Sequence, residues 1–324
     1  MSSESIKPIG GYFEWEFPSL KTFTLHHNAV LLNSGRHALE YILRGLGEVA
    51  CVYIPYYTCD AVVMPFMRLS IPYKFYQIDE NLEIADDIYL GDKDYLIYTN
   101  YFGIKDAYVR RVVKQYGDKV IIDNAQALYC PPIARHQVYS PRKFIGMPDG
   151  GLAVTDVADY SIELPKAISF DKCSHLLKRV ELAPSEGYND FKAVSRMLAE
   201  SSLSRMSVIS EHILKSIDLW QIRKIRRENF CTLNRVLSQS NRLIIPELES
   251  FSCPLSYPFL TEDKYLKAQL IKEQVFVPTY WPNVLDWTKT GMVENNLANQ
   301  LLAIPCDQRY GKADMERIVN IINK

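Results

Sequence analysis

The sequence predicts an α/β protein built on a mainly parallel sheet. Short apolar runs end repeatedly at a polar residue or a proline, as strands do at the edge of a sheet. Stretches with helical spacing separate these runs, and that alternation implies βαβ units. In residues 119–151, KVIIDNAQALYCPPIARHQVYSPRKFIGMPDGG, one run stops at Asp123 and a second at Ser140. Lys143 follows three residues later, and Gly150-Gly151 opens a third run. An acid and a lysine at two such strand ends suit a cofactor site, because the carboxyl ends of parallel strands open into a crevice.

The elements follow in order. Residues 10–18, GGYFEWEFP, form an extended lead-in, and Ala29–Leu32 is a short apolar run. Ala38, Leu39, Ile42, Leu43 and Leu46 then recur at helical spacing. Asn33 or Ser34 can cap this helix and Gly35 leaves its backbone open. The result is either a plain capped helix or a phosphate cradle, since free N–H groups at a positive dipole end attract anions. Ala50–Ile54, Tyr73–Ile78, Asp94–Thr99 and Val120–Ile122 read as strands. Thr58 to about Leu69 and Asp106–Tyr116 read as helices.

From about 160 to 238 the pattern is helical. Ile209, Ile213, Ile217 and Trp220 mark one face of a long helix that continues through Ile222, Ile225, Phe230, Leu233 and Leu237. Arg223, Lys224, Arg226 and Arg227 lie on it and read as a solvated face or a phosphate contact. Beyond Ser240, Pro254–Leu260, Val275–Pro278 and Leu301–Ile304 read as strands, with helices over Asp263–Lys272 and Lys312–Ile322. This divides the chain into a large α/β domain, 19–238, and a smaller α+β domain, 239–324 with the lead-in 1–18, the long helix joining the two.

Composition narrows the function. The 324 residues are 48% hydrophobic and 23% charged, ordinary for a globular chain, and the net charge of −1 points to neither nucleic acid nor membrane as partner. No apolar run approaches a membrane span, and the N-terminus lacks the apolar stretch of a signal peptide, so a cytoplasmic location is expected. Seven scattered cysteines without a CxxC pair read as reduced thiols. Six histidines without HxxxH or HExxH spacing predict no metal site.

Several stretches together carry a resemblance: IGGYF at 9–13, NSGRHAL at 33–39, YIPYYTCDAV at 53–62, NYFG at 100–103, DNAQAL at 123–128, SPRKF at 140–144 with DGG at 149–151, RRENF at 226–230, and LAIPCDQRYG at 302–311. In this order they resemble the PLP-dependent sugar aminotransferases of the DegT/StrS type, which have the fold-type I architecture. The Asp-x-Ala-Gln and Ser-x-x-Lys pair is the specific part.

The resemblance implies roles for particular residues. Lys143 would bond pyridoxal 5'-phosphate and shuttle a proton, and Asp123 would pair with the pyridine nitrogen. Gln126 would donate to the phenolic oxygen. Ser34, Gly35, Arg36 and Ser140 would surround the phosphate. Cys59 stands where the family usually stacks an aromatic on the cofactor, so either Tyr56, Tyr57 or Tyr101 takes over the stacking or the cofactor is held less tightly. Arg142 is a substrate or phosphate candidate, and Tyr12, Trp15, Tyr280, Trp281 and Arg309 are candidates for a sugar pocket. The family's partner-reaching Gly-x-Asn-x-Arg segment is reduced to Gly187-Tyr188-Asn189, which reads as a turn before a helix.

The implied activity is transfer of an amino group from an amino acid, glutamate, to a nucleotide-linked keto-sugar, in polysaccharide or antibiotic sugar biosynthesis, by a homodimer with shared sites. The alternatives are a PLP enzyme of another reaction type and a non-catalytic paralogue kept for binding or regulation.

Overall fold

The computed structural model describes residues 14–20 and 25–324. In chain order it contains β1 (Val30–Leu32), α1 (Gly35–Gly45), β2 (Cys51–Pro55), α2 (Met64–Leu69), β3 (Tyr73–Tyr76), β4 (Asp94–Thr99), α3 (Asp106–Tyr116), β5 (Val120–Asn124), β6 (His136–Tyr139) and β7 (Gly151–Val154). Then come α4 (Ser174–Glu181), α5 (Pro184–Glu200), α6 (Val208–Ser216), α7 (Leu219–Leu237), β8 (Tyr257–Leu260), α8 (Leu266–Lys272), α9 (Asn283–Trp287), α10 (Val293–Gln300), β9 (Leu301–Ile304) and α11 (Lys312–Ile322).

The first seven strands form one sheet in the order β1-β7-β6-β5-β4-β2-β3. The five strands from β3 to β6 run parallel, and β7 and β1 are antiparallel additions at one edge. β8 and β9 make a second, two-stranded antiparallel sheet. The mixed, mostly parallel sheet agrees with the expected fold class.

Side chains alternate across the sheet, as the two-residue period of a strand requires. Ile97, Ile121 and Val138 face α1 and α2, packing on Ala38, Leu39, Ile42 and Phe66. Leu96, Tyr98, Val120 and Ile122 face the other way, toward Phe230, Leu233 and Leu237 of α7 and toward Tyr257, Ile304 and Met315. That second cluster joins the sheet to the C-terminal unit. Both faces are covered, so the central strands are apolar runs rather than alternating ones.

Four expectations are corrected. The long helix is two helices, α6 and α7, broken at Ile217, which is extended, and at Asp218, whose side chain caps α7 through the Gln221 N–H at 3.0 Å. The helix expected from Thr58 is a short 3-10 turn, Asp60–Val62, followed by α2 from Met64. Val275–Pro278 joins no ladder. Gly187-Tyr188-Asn189 lies inside α5, not in a turn before it.

Among the described residues no helix is long and apolar enough to cross a membrane. No group of three or more His, Cys, Asp or Glu among them can hold a metal ion.

Candidate active site

The carboxyl end of β5 is the centre of the site. Asp123 is the fourth residue of that strand, in register with Thr99 of β4 and Val138 of β6. Its carboxylate accepts the Ala125 N–H at 2.8 Å. Next to it, buried amides lock the neighbouring loops: Asn100 Nδ2 donates to Asn124 Oδ1 at 3.0 Å, and Asn124 Nδ2 donates to Gln137 Oε1 at 3.1 Å. Gln126 is fully buried. Its oxygen accepts the Phe102 N–H at 2.7 Å, and its amide nitrogen has no partner. An orphaned buried donor is costly unless a ligand meets it.

That bond holds an unusual backbone. Phe102 has φ 55°, a left-handed conformation that non-glycine residues rarely adopt. Gly103 follows at φ +68°, and a Cβ there would fall 2.7 Å from the carbonyl oxygens of Gln126 and Cys253. The NYFG stretch therefore needs its glycine both for dihedral and for space.

Lys143 ends a 3-10 turn, Pro141–Lys143, and is half-buried. The peptide just after it is held from the C-terminal unit: Gln308 Nε2 donates to the Phe144 carbonyl at 2.7 Å. Arg226 donates to Gln308 Oε1 at 2.8 Å, to the Leu255 carbonyl at 3.0 Å, and lies 4.7 Å over the Phe144 ring. Arg226 is thus buried, and Arg227 donates to the carbonyls of Glu249 and Ser252 at 2.8 and 2.7 Å. The solvated-face reading fails for both. The signal was in the sequence: Arg226 shares the helical spacing of Ile222, Phe230 and Leu233, so it belongs to the inward stripe.

The start of α1 meets this turn. Ser34 caps the helix through the His37 N–H at 3.3 Å and lies 2.8 Å from the His37 ring Nδ1. Its hydroxyl is therefore engaged inside the helix. Gly151 lies so close that a Cβ would sit 2.1 Å from the Ser34 carbonyl carbon. A Cβ on Gly35 would come 3.4 Å from the Ser140 Cβ, so Ser140 borders the helix start. Two guanidinium groups stand here as well. Arg36 Nη1 donates to Met64 Sδ at 3.0 Å, a weak acceptor for a cation. Arg142 has a buried Nε with no partner. Burial, reinforced by Arg36, pushes the Arg142 guanidinium down to about 10, with Asp149 opposing. Paired cations at a helix N-terminus are arranged to receive an anion.

Electrostatics ties the rest together. Burial pushes the Asp123 carboxyl above the usual carboxylate range, and the Lys143 ammonium partly offsets this. Burial likewise raises the Cys59 thiol, again with Lys143 opposing. Lys143, Asp123 and Cys59 therefore share one neighbourhood. The three tyrosines expected to replace an aromatic at Cys59 are engaged elsewhere. Tyr56 stacks on Phe75 at 4.6 Å, and Tyr101 sits 5.6 Å from Tyr57 and donates to its carbonyl at 2.9 Å. Tyr57 and Tyr101 are both core residues.

Arg309 is held by Asp307 through two bonds, at 2.7 and 2.9 Å. With Tyr188, Phe276 and Tyr310 it lines a cavity of about 710 Å³ whose lining includes none of Asp123, Gln126 and Lys143. Trp15 is exposed and stacks on Phe17 at 5.4 Å. Tyr12 lies outside the described residues.

This architecture is shared, as a fold, with solved aminotransferase structures. Solved structures with this fold include sugar aminotransferases and a DegT DnrJ EryC1 StrS aminotransferase. A DegT DnrJ EryC1 StrS aminotransferase from Brucella abortus shares 16% identity over 91% of this chain and 85% of its own, with a TM-score of 0.62. The PLP form of a putative sugar aminotransferase, Spr1654, from Streptococcus pneumoniae shares 15% over 90% and 85%, at 0.63. DesI, solved in the presence of its TDP-sugar product, shares 14% over 91% and 79%, at 0.62. At these identities the likeness establishes the fold. No family model and no curated protein matches the sequence.

Proposed function

We propose that the protein is a PLP-dependent aminotransferase that moves an amino group from an amino acid, glutamate, to a nucleotide-linked keto-sugar. The observation that supports this reading is that the Lys143 ammonium acts on Asp123 at the carboxyl end of β5, with the buried, unpartnered amide nitrogen of Gln126 three residues further along the chain. A non-catalytic protein has no chemical need for all three.

The residues fit the cofactor. The Gln126 nitrogen is a donor awaiting an acceptor, as the phenolic oxygen is. The α1 start, Arg36, Arg142 and Ser140 offer donors and positive charge for the phosphate. Ser34 contributes through the cap that fixes the helix start, since its hydroxyl is engaged with His37. When bound, PLP supplies an aldehyde that captures amines and a ring that draws electrons from the adjacent carbon. Asp123 would hold a proton on the ring nitrogen, Gln126 would orient the ring through its phenolic oxygen, and Lys143 would hold the aldehyde and move a proton at the amine-bearing carbon. The sugar and nucleotide parts rest on the likeness to proteins such as DesI and its TDP-sugar product.

The working unit in this reading is a cytoplasmic homodimer, and the chain divides functionally at about residue 238. Its dimer face is the apolar surface of α4, α5 and the turns before them; the apolar helical stretch at 205–237, which the sequence offers as a dimer surface, is covered within the chain along α7. Val180 is 84% exposed, Phe170 73% and Ile168 70%, whereas the α7 stripe Leu219, Ile222, Phe230, Leu233, Leu237 is buried within the chain.

The test is colour. Wild-type protein incubated with PLP is expected to show the visible band of a protonated Schiff base, and Lys143→Ala to lack it. Wild type that stays colourless after soaking overturns the enzyme reading in favour of a non-catalytic paralogue.

A further inference from the structure

Position 59 offers a thiol and no aromatic ring, and the tyrosines that follow β2 and β4 are engaged elsewhere, Tyr56 stacked on Phe75 and Tyr57 tilted against Tyr101. The C-terminal unit reaches this place instead. Asn283 Nδ2 donates to the Thr58 carbonyl at 2.9 Å, fastening the 279–283 segment to the residue before Cys59. Trp281 meets Tyr57 edge-on at 5.1 Å. Tyr280 meets Phe102 edge-on at 5.8 Å, and Phe102 is the residue whose N–H binds Gln126. Tyr280 therefore stands between the Cys59 turn and the Gln126 loop. Burial pushes its phenol up to about 12, with Arg226 opposing and Cys59 close enough to reinforce, so it is a neutral ring at physiological pH.

We propose that Tyr280 supplies the aromatic surface that bounds the cofactor ring on the side where Cys59 offers only a thiol, so that the C-terminal unit takes part in holding the cofactor. This rests on the PLP reading above. An aromatic contact of this kind is worth up to about tenfold in affinity. Holding the cofactor also depends on the position of the 279–283 segment, so the two units act together on cofactor retention.

The experiment is equilibrium dialysis of PLP against apoprotein for wild type, Tyr280→Phe, Tyr280→Leu and Cys59→Phe/Tyr280→Leu, with circular dichroism to confirm folding. Tyr280→Phe keeps the ring and is expected to bind within about twofold of wild type. Tyr280→Leu keeps apolar bulk without the ring and is expected to bind about tenfold more weakly. Restoring a ring at position 59 is expected to recover most of that loss. Equal affinity in Tyr280→Leu and wild type overturns the proposal while leaving the PLP reading intact, and so does a double variant no tighter than Tyr280→Leu. Wild type that retains no PLP overturns both.

Discussion

Gln126 Oε1 accepts the backbone N–H of Phe102 at 2.7 Å, and this bond joins the loop after β5 to the loop after β4. It holds Phe102 at its positive φ, next to a glycine that admits no side chain. The same side chain keeps its nitrogen for another partner, so it serves both backbone and site.

Gln126→Leu is expected to lower the stability of the apoprotein by about 1 kcal/mol, because the buried Phe102 N–H loses its acceptor while removal of the unpartnered amide nitrogen offsets part of that loss. Urea unfolding of wild type and variant measures this. PLP affinity is expected to fall as well. An unchanged urea midpoint would show that the Phe102 backbone does not depend on this bond.

Asp123 carries a cost that function explains. Its folded pKa is raised by burial, so the folded state favours the protonated carboxyl. A raised carboxyl pKa gives stability that is present below the unfolded value of 3.8 and lost as pH rises through the folded value. Bringing the apoprotein from acid to neutral pH therefore costs stability at Asp123. Asp123→Asn keeps an oxygen for the Ala125 N–H and removes the charge. It is expected to raise the thermal midpoint of the apoprotein at pH 7, with the gain shrinking on acidification, and to abolish amino transfer. A lower midpoint at pH 7 would contradict this.

How far the sequence disclosed these arrangements depended on period. Asp94–Thr99, Asp106–Tyr116, Leu301–Ile304 and Lys312–Ile322 match their expected bounds because apolar spacing and flanking residues agree there. Val275–Pro278 has strand composition but no partner strand, and pairing is not written in a single segment. The α6–α7 break fell inside an apolar pattern that continues in phase across Ile217, so only the capping Asp218 marked it. Asp123, Gln126 and Lys143 were legible as residues at strand ends. The contacts from Arg226, Gln308 and Tyr280 were not, because they come from more than eighty residues away and depend on how the C-terminal unit folds back. Arg226 left a physical trace, as a charge on an apolar stripe.

The apolar surface of α4, α5 and the preceding turns gives a prediction about assembly. Two-residue replacement of Phe170→Asp with Val180→Asp, both well exposed in the single chain, is expected to halve the mass seen by light scattering while leaving the circular dichroism spectrum unchanged. Wild type that is monomeric at working concentration would refute the dimer.

His37 makes the start of α1 sensitive to acid. It is fully buried, with Ser34 Oγ at 2.8 Å from Nδ1 and the Ser201 carbonyl at 3.0 Å from Nε2. Arg68 Nη1 is also 3.0 Å from Nε2, and Glu40 and Arg36 complete the charges around it. Burial is the largest cause that lowers its pKa from 6.5 to about 4, with Glu40 opposing and Arg68 reinforcing. The folded state thus binds fewer protons than the unfolded state between these values, and stability falls as pH drops. At about 1.4 kcal/mol per pH unit the full loss is on the order of 3 kcal/mol. His37→Gln removes the titration while keeping an amide able to hydrogen-bond. Between pH 7 and pH 4, wild type is therefore expected to lose on the order of 3 kcal/mol more than His37→Gln in urea unfolding. Because the other histidines are common to both proteins, the difference isolates this one. Parallel pH profiles for the two would place the acid sensitivity elsewhere and free the helix start from any dependence on the neutral imidazole.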